Sequence, residues 1–214
     1  MTQLFSRLTL LALTGATLGF AACSKDDDDD NPVQPAAELK TETMKNLAPA
    51  AATADPATGR PGTPKHYAFF SFATNSEVPY TDSATTKWDI AVRTTTILVN
   101  GGSSGPGQGG AIVQDGLFAE VATAPTSGYN VDTPTAKAIP TGSGKGWYNY
   151  NSTTHVVSPI AGKVLLVRTA TGKYAKMEIL SYYKDAPATP TGTEPNSHYT
   201  FRYVYQPNGS PTLK

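Results

Sequence analysis

The stretch KVLLVRTATGKYAKMEIL, residues 163–180, gives the clearest indication of the fold. An apolar run at 164–168 leads into a Thr-Ala-Thr-Gly turn, and a second strand-like run follows at 174–180. Two such runs joined by a short turn that contains glycine are typical of a β-hairpin. The sequence therefore predicts an antiparallel hairpin in this part of the chain.

The chain beyond residue 65 continues in short runs separated by clusters of Gly, Pro, Asn and Ser. In the last run, the aromatic residues at 199, 201, 203 and 205 share one face, because side chains alternate along a strand. No window after residue 65 holds an apolar stripe with the helical period of about 3.6 residues. These features predict one antiparallel all-β domain over 65–214, with further strands at 67–72, 88–93, 95–99, 111–113 and 199–205.

The N-terminal residues 1–22 are predicted to form a signal peptide. Arg7 supplies the positive charge at its start, and the apolar stretch at 8–18 is too short to span a bilayer. The sequence FAAC at 20–23 resembles a bacterial lipobox and contains the single cysteine of the chain. An exported lone thiol has no partner for a disulfide. We therefore expect Cys23 to carry a diacylglycerol thioether; the alternative is a secreted protein that is cut before an unmodified cysteine.

An acidic and flexible segment is predicted to follow the lipid anchor. Five aspartates at 26–30 repel one another and favour a solvated linker. Directly after a lipidated cysteine, the same run also resembles the acidic export signal of surface-displayed lipoproteins. Residues 31–64 are rich in Ala, Pro and Thr. We therefore assign residues 23–64 to a tether and expect the protein to be lipid-anchored in the outer membrane, on the cell surface.

The charges and motifs of the chain exclude two classes of function. Seventeen basic residues stand against 17 acidic ones, and removal of residues 1–22 takes away one basic residue, leaving 16 against 17. Nucleic-acid recognition needs a basic face, which this scattered distribution does not predict. The sequence has no zinc-protease or serine-hydrolase motif, and Lys145 in the stretch at 142–146 lacks the spacing of a phosphate-binding loop. We expect no catalytic residues and no enzymatic activity.

Two ordered blocks of sequence resemble the HmuY family of haem-binding surface lipoproteins. The first block consists of WDIAV at 88–92, LVNGG at 98–102 and GGA at 109–111. The second consists of GW at 146–147, KVLLVRTATGKYAK at 163–176, YY at 182–183 and YTFRYVY at 199–205. The resemblance covers residues 65–206. It implies an all-β fold, haem as bound cargo, capture from host or environmental haemoproteins, and delivery to an outer-membrane TonB-dependent receptor.

From the residues themselves, the first block indicates a scaffold. Trp88 alternates with Ile90 and Val92 as in a core strand, and Asp89 is expected either to act as a cap or to pair with a nearby donor. Glycines between 101 and 110 permit backbone conformations with positive φ and close chain approach. The ligands of haem-binding family members lie on loops of variable length, so the signature does not itself locate a haem site.

Candidate donors for haem iron are few, since the iron takes imidazole nitrogen or thioether sulfur. Met177 is predicted to pack in the core, and Met44 falls in the tether. His66 and His198 lie at the starts of predicted strands, where histidines are commonplace. His155 follows the polar loop at 151–154 and is the candidate axial ligand.

The family resemblance does not supply a second donor. In the family, this loop carries one axial histidine, but counting from Trp147 places it nearer Ser152 than His155. The other family histidine lies in a longer insertion, which here corresponds to residues 132–146 and contains no His or Met. Two functions therefore stay open: haem binding, and a surface adhesion or accessory role for the same fold without haem. Cations considered for the haem propionates are Lys145, Lys163 and Arg168.

Overall fold

The computed structural model describes residues 39–53, 56–57 and 62–214. Cys23 and the predicted signal peptide lie outside these residues. Within them the chain forms strands and one short 3-10 helix, Tyr80–Asp82, so the predicted all-β class is confirmed. The strands are β1 Thr41–Leu47, β2 Ala68–Ser71, β3 Ser76–Val78, β4 Ile90–Arg93, β5 Thr96–Val99, β6 Gly110–Asp115, β7 Tyr148–Asn151, β8 Val156–Pro159, β9 Lys163–Arg168, β10 Tyr174–Tyr183 and β11 Asn196–Gln206.

The strands form two sheets and a two-stranded ribbon, all with antiparallel pairing. The five-stranded sheet has the order β1-β11-β10-β9-β6, the four-stranded sheet has the order β3-β2-β4-β5, and β7 pairs with β8. The predicted hairpin is the β9–β10 pair, in which Arg168 lies opposite Tyr174. The predicted strands correspond to β2, β4, β5, β6 and β11, while β1, β3 and β8 were not predicted.

The main core is built on the aromatic face of β11. Tyr199, Phe201 and Tyr203 are all at most 1 % exposed, as the alternation of the sequence predicts. Phe70 of β2 meets Phe201 edge to face, with ring centroids 5.2 Å apart, which joins the two sheets. Met177 is fully buried in the same cluster, so its predicted core position is confirmed.

The signature residues of the first block hold the scaffold together. The Asn100 side chain donates to the carbonyls of Thr85 and Trp88 at 2.9 and 2.8 Å and accepts from the Gly107 N–H at 3.0 Å. Asp89 accepts from two backbone N–H groups that lie far apart in the sequence. These residues therefore close the glycine-rich loop and fasten it to the strands, in agreement with the scaffold interpretation.

Strand β1 changes the boundary expected from the sequence. It lies within residues 23–64, which the sequence analysis assigned to the tether, yet Thr41 pairs with Val204 and Leu47 with Tyr199. Leu47 is fully buried, whereas the other side chains of β1 are exposed or half-buried. A mostly polar edge strand has no strong apolar pattern, and its partner lies at the other end of the chain. The sheet therefore begins at Thr41 and not after Pro64.

Removing β1 is expected to destabilise the domain. A chain of residues 65–214 loses the buried side chain of Leu47, whose truncation to alanine alone costs about 2–5 kcal/mol at such sites. It also leaves the long strand β11 as an unpaired edge, which favours association. Urea unfolding and light scattering of chains 39–214 and 65–214 check this. Equal unfolding midpoints and two monomeric species would contradict it.

Candidate functional site

A cavity of about 820 Å³ opens at the end of the domain where three stretches of chain meet. They comprise residues 48–52, 62–64 and 192–198, and Thr94 completes the lining. The aliphatic part of the lining consists of Ala48, Pro49, Ala51, Ala52, Pro64 and Pro195. The volume falls in the range of about 300–1,000 Å³ that is usual for small-molecule and cofactor sites.

One histidine is among the residues that line the cavity. His198 lies in β11, is half-buried, and has its Nδ1 2.7 Å from the backbone oxygen of Asn196. A carbonyl oxygen only accepts hydrogen bonds, so Nδ1 must carry the proton. In the neutral form of this ring, the lone pair lies on Nε2, and neutral imidazole is the form that binds a metal. From the sequence, His198 is predicted to be an ordinary histidine at the start of a strand.

His155, the candidate ligand predicted from the sequence, lies in the tight turn between β7 and β8. Its side chain is exposed, its backbone has φ of 57°, and its Nδ1 lies 2.7 Å from the Tyr150 hydroxyl. The turn is fixed by the Asn151 side chain, whose oxygen accepts from the N–H groups of Thr153 and Thr154 at 2.9 and 3.1 Å. The imidazole is thus presented on a well-defined turn and is oriented by a phenol.

The cavity wall and the His155 turn contact each other through Gly192. This glycine lines the cavity and has φ of 88°, a conformation that L residues rarely adopt. A Cβ at Gly192 would lie 2.6 Å from the Thr154 oxygen and 3.5 Å from the His155 oxygen. Only glycine permits so close an approach of two backbones. The fold therefore places the predicted ligand turn directly beside the wall that carries His198.

The remaining candidate donors lie elsewhere. The His66 ring stacks on Tyr80 with centroids 3.6 Å apart. Met44 packs against the main core and Met177 lies within it. None of the three lines the cavity. Among the residues that the structure describes, no group of three or more His, Cys, Asp or Glu side chains is arranged to hold a free metal ion.

The cations considered for the propionates do not line the cavity. Lys163 pairs with Asp115, and the Arg168 Nε donates to the Gln108 oxygen at 2.7 Å. Lys145 is exposed in the loop before β7. None of the three is among the residues of the lining.

Two other cations are sequence neighbours of lining residues but do not themselves line the cavity. Lys65 follows Pro64, and Arg93 precedes Thr94. The guanidinium of Arg93 lies 4.3 Å from the centre of the Tyr67 ring, and its Nη1 donates to the Lys65 oxygen at 3.3 Å. Neither side chain takes part in an ion pair within the described parts of the chain.

The one acidic residue of the cavity lining is engaged in its own loop. Glu194 accepts hydrogen bonds from the N–H groups of Thr191 and Gly192 at 2.9–3.0 Å. These bonds, that from Thr191 first, lower the pKa of the Glu194 carboxyl. Its negative charge is therefore partly compensated by the backbone.

Across the described ranges, no helix has the length and apolar character needed to cross a membrane. Any membrane attachment through Cys23 falls outside the described residues and stays a prediction.

Comparison with solved structures gives eight matching chains, and three of them illustrate the similarity. A HmuY analogue from Tannerella forsythia, in its apo form, is 18% identical with a TM-score of 0.45, covering 79% of this chain and 96% of its own. A protein from Bacteroides vulgatus, assigned as HmuY-like and haem-binding, is 18% identical with a TM-score of 0.45 and coverages of 80% and 93%. A protein from Bacteroides fragilis, assigned as a lipoprotein, is 16% identical with a TM-score of 0.46 and coverages of 82% and 94%.

Curated proteins and family models give different results for this chain. No curated protein matches the chain significantly. The model of the HmuY protein family, in contrast, matches residues 64–203. That span contains strands β2 to β10 and most of β11, and it exceeds half of the 214 residues of the chain. The chain therefore belongs to the HmuY family.

Proposed function

We propose that the protein is a haem-binding lipoprotein without enzymatic activity and that His155 supplies an axial nitrogen to the iron. The observation that carries this proposal is the hydrogen bond between Tyr150 and His155 on an exposed turn beside a cavity. In the tautomer where Nδ1–H donates to the phenol oxygen, Nε2 has the free lone pair that the iron needs. Histidine ligands of metals usually have their other ring nitrogen fixed in this way.

The binding mechanism combines coordination with burial. An imidazole provides the directional bond to iron, and aliphatic side chains exclude water from the porphyrin faces. The exposure of the His155 turn suits a protein that takes up its cargo and releases it again. We propose that the cargo comes from host or environmental haemoproteins and passes to a TonB-dependent receptor.

The cellular location follows from lipidation of Cys23 in the same proposal. Each buried methylene of an acyl chain contributes about 0.8 kcal/mol, and two or more chains suffice for stable anchoring. The acidic run at 26–30 and the residues that follow it would separate the domain from the bilayer. We propose that the domain lies on the outer face of the outer membrane, close to its receptor.

A hemin titration of residues 24–214, the mature chain without its lipidated Cys23, tests the haem assignment. We expect a saturable shift of the Soret band and at least a tenfold loss of hemin affinity in His155→Ala. Tyr150→Phe keeps the imidazole and removes only the orienting hydrogen bond, so we expect a loss of about tenfold, as for other outer-shell partners of metal ligands. An unchanged hemin spectrum with the folded wild-type chain would refute haem binding and leave the adhesion or accessory function.

A further inference from the structure

A second cavity lies at the other end of β11 from the cavity that His198 lines. Its volume of about 310 Å³ is at the lower end of the range of about 300–1,000 Å³ that is usual for small-molecule sites. Three parts of the chain meet around it. The lining residues come from the entry to β1 at 39–42, the β2–β3 turn at 72–75 and the end of β11 at 203–207.

Two opposite charges line the second cavity. Lys40 is exposed and Glu42 is half-buried, and both belong to the segment that enters β1. Neither side chain takes part in an ion pair within the described parts of the chain. The second cavity therefore offers one ammonium and one carboxylate to a ligand.

Aromatic side chains form another part of the lining. Phe72 and Tyr203 are nearly fully buried, with ring centroids 5.0 Å apart, and Tyr205 is half-buried. Glu42 lies directly opposite Tyr203 in the β1–β11 pair, and the Cβ atoms of such partners are about 4.5–5.5 Å apart. Aromatic rings pack against apolar groups and attract cations to their faces. This side of the second cavity therefore suits both an apolar group and an ammonium.

The electrostatic field at these phenols favours a positive group. Burial raises the pKa of the Tyr203 hydroxyl, and the negative charges of Glu42 and Asp89 raise it further. Burial, followed by the charge of Asp89, also raises the pKa of Tyr205. Both phenols therefore stay neutral at pH 7. The same carboxylates attract a cationic group of a ligand, whereas Lys40 attracts an anionic one.

This combination of charges and rings distinguishes between classes of ligand. A polyamine is repelled by Lys40, and a fatty acid is repelled by Glu42. A neutral sugar leaves both charges without a counter-charge, and an inorganic ion leaves the rings without a contact. A molecule with one ammonium, one carboxylate and an apolar side chain matches the whole lining. Amino acids and short peptides have this form at pH 7, because their α-carboxyl group is ionised and their α-amino group is largely protonated.

We infer that the second cavity binds an amino acid or a short peptide in its zwitterionic form. The α-ammonium pairs with Glu42, the α-carboxylate pairs with Lys40, and an apolar side chain packs against Tyr205. The inference goes beyond the proposed function, because the two cavities share no lining residue. Hemin binding and peptide binding can therefore succeed or fail independently.

Isothermal titration calorimetry of residues 24–214 tests this inference with L-phenylalanine and with alanyl-phenylalanine. We expect saturable binding, and the tighter probe shows whether a free amino acid or a peptide is preferred. That probe is then compared with its N-acetylated and its C-amidated forms. We expect acetylation to weaken binding about tenfold, the effect of one charge-assisted hydrogen bond. We expect amidation to weaken it about threefold, because the exposed Lys40 pairs in water.

Charge variants assign each end of the probe to its partner. Glu42→Gln is expected to weaken the zwitterion about tenfold and to leave the affinity for the N-acetylated form unchanged. Lys40→Gln is expected to weaken the zwitterion about threefold and to leave the affinity for the amidated form unchanged. Glu120→Gln and Lys45→Gln are the matched controls, since both positions are exposed and neither lines the second cavity. A merely structural role of Glu42 would weaken all forms of the probe equally.

A pair of tryptophan variants tests the second cavity without changing a charge. Ala73→Trp introduces a large ring at an exposed position of the lining, and Ala119→Trp does the same at an exposed position away from it. We expect only Ala73→Trp to abolish binding of the zwitterion.

Three results would overturn the inference. They are a folded wild-type chain that binds neither zwitterion at millimolar concentration, wild-type affinity in both Glu42→Gln and Ala73→Trp, and equal losses in the two tryptophan variants. Hemin titrations of the same proteins keep the two proposals apart. If peptide binding fails while hemin still shifts its Soret band, only this inference is wrong and the proposed function stands.

Discussion

Replacing Asp89 with alanine is expected to lower the free energy of unfolding by about 2–6 kcal/mol, since two buried donors lose their acceptor at about 1–3 kcal/mol each. Asp89 is 6 % exposed. Its Oδ2 accepts from the Phe72 N–H at 2.9 Å and its Oδ1 from the Ala170 N–H at 3.0 Å. One carboxylate thereby joins the end of β2 to the β9–β10 turn. Urea unfolding at pH 7 measures the loss.

The same variant has an expected pH dependence. Burial raises the pKa of the Asp89 carboxyl, although the two backbone hydrogen bonds act in the opposite direction. A raised pKa in the folded state means that the folded state binds the proton more tightly than the unfolded state. The stabilising contribution of Asp89 therefore grows as the pH falls through the folded-state pKa and is complete below the unfolded value of about 3.9. The loss of unfolding free energy in Asp89→Ala should therefore be larger near the unfolded value of about 3.9 than at pH 7.

Asp89→Asn is the control for this prediction. Its amide oxygen still accepts one hydrogen bond, while its NH₂ group faces the other donor. We therefore expect a loss of unfolding free energy that differs in size from that of Asp89→Ala. Because the amide does not titrate, this loss should gain no pH dependence from position 89. If Asp89→Ala loses less unfolding free energy in acid than at pH 7, the raised pKa of Asp89 is contradicted. If Asp89→Ala loses less than about 1 kcal/mol of unfolding free energy at pH 7, Asp89 does not join β2 to the β9–β10 turn in the way described.

Replacing Trp147 with alanine is expected to cost about 3–5 kcal/mol, the usual range for a fully buried tryptophan. Trp147 is 2 % exposed and lies immediately before β7. Its ring centroid is 5.2 Å from that of Tyr199 and 5.9 Å from that of Tyr182. Its Nε1 donates to the Thr95 oxygen at 3.0 Å. The substitution removes the side chain that ties the β7–β8 ribbon to both the core and the four-stranded sheet.

Trp147→Phe separates the two contributions to this effect. Phenylalanine retains much of the apolar contact but leaves the Thr95 oxygen without its donor, so we expect a smaller loss than for alanine. Chemical unfolding of both variants, followed by far-UV circular dichroism, measures the difference. A loss below about 1 kcal/mol for Trp147→Ala would show that the ribbon is not anchored through this ring.

The strands of the domain differ in how well sequence predicts them. The β9–β10 hairpin is evident because both strands and their turn are contiguous, and turn chemistry acts locally. The aromatic face of β11 is evident because a period of two reveals which side chains share a face. Strand β1 is not evident, because it is a mostly polar edge strand whose one fully buried side chain is Leu47.

The candidate site shows the same division. His155 is predicted because it lies in a polar loop that, in the family, carries one axial histidine, and the structure adds its hydrogen bond to Tyr150. His198 was passed over because nothing in its neighbouring residues distinguishes it. Its position in the cavity lining depends on distant parts of the chain that meet there.

The amino-acid sequence alone determined the all-β class, the central hairpin and the buried aromatic face, because periodicity and turn preference are properties of adjacent residues. Only the tertiary structure decided the pairing of β1 with β11, the junction at Asp89 and the cavity that contains His198. Each of these brings together groups that are far apart along the chain. No local pattern encodes such contacts, since they exist only when the whole core has packed.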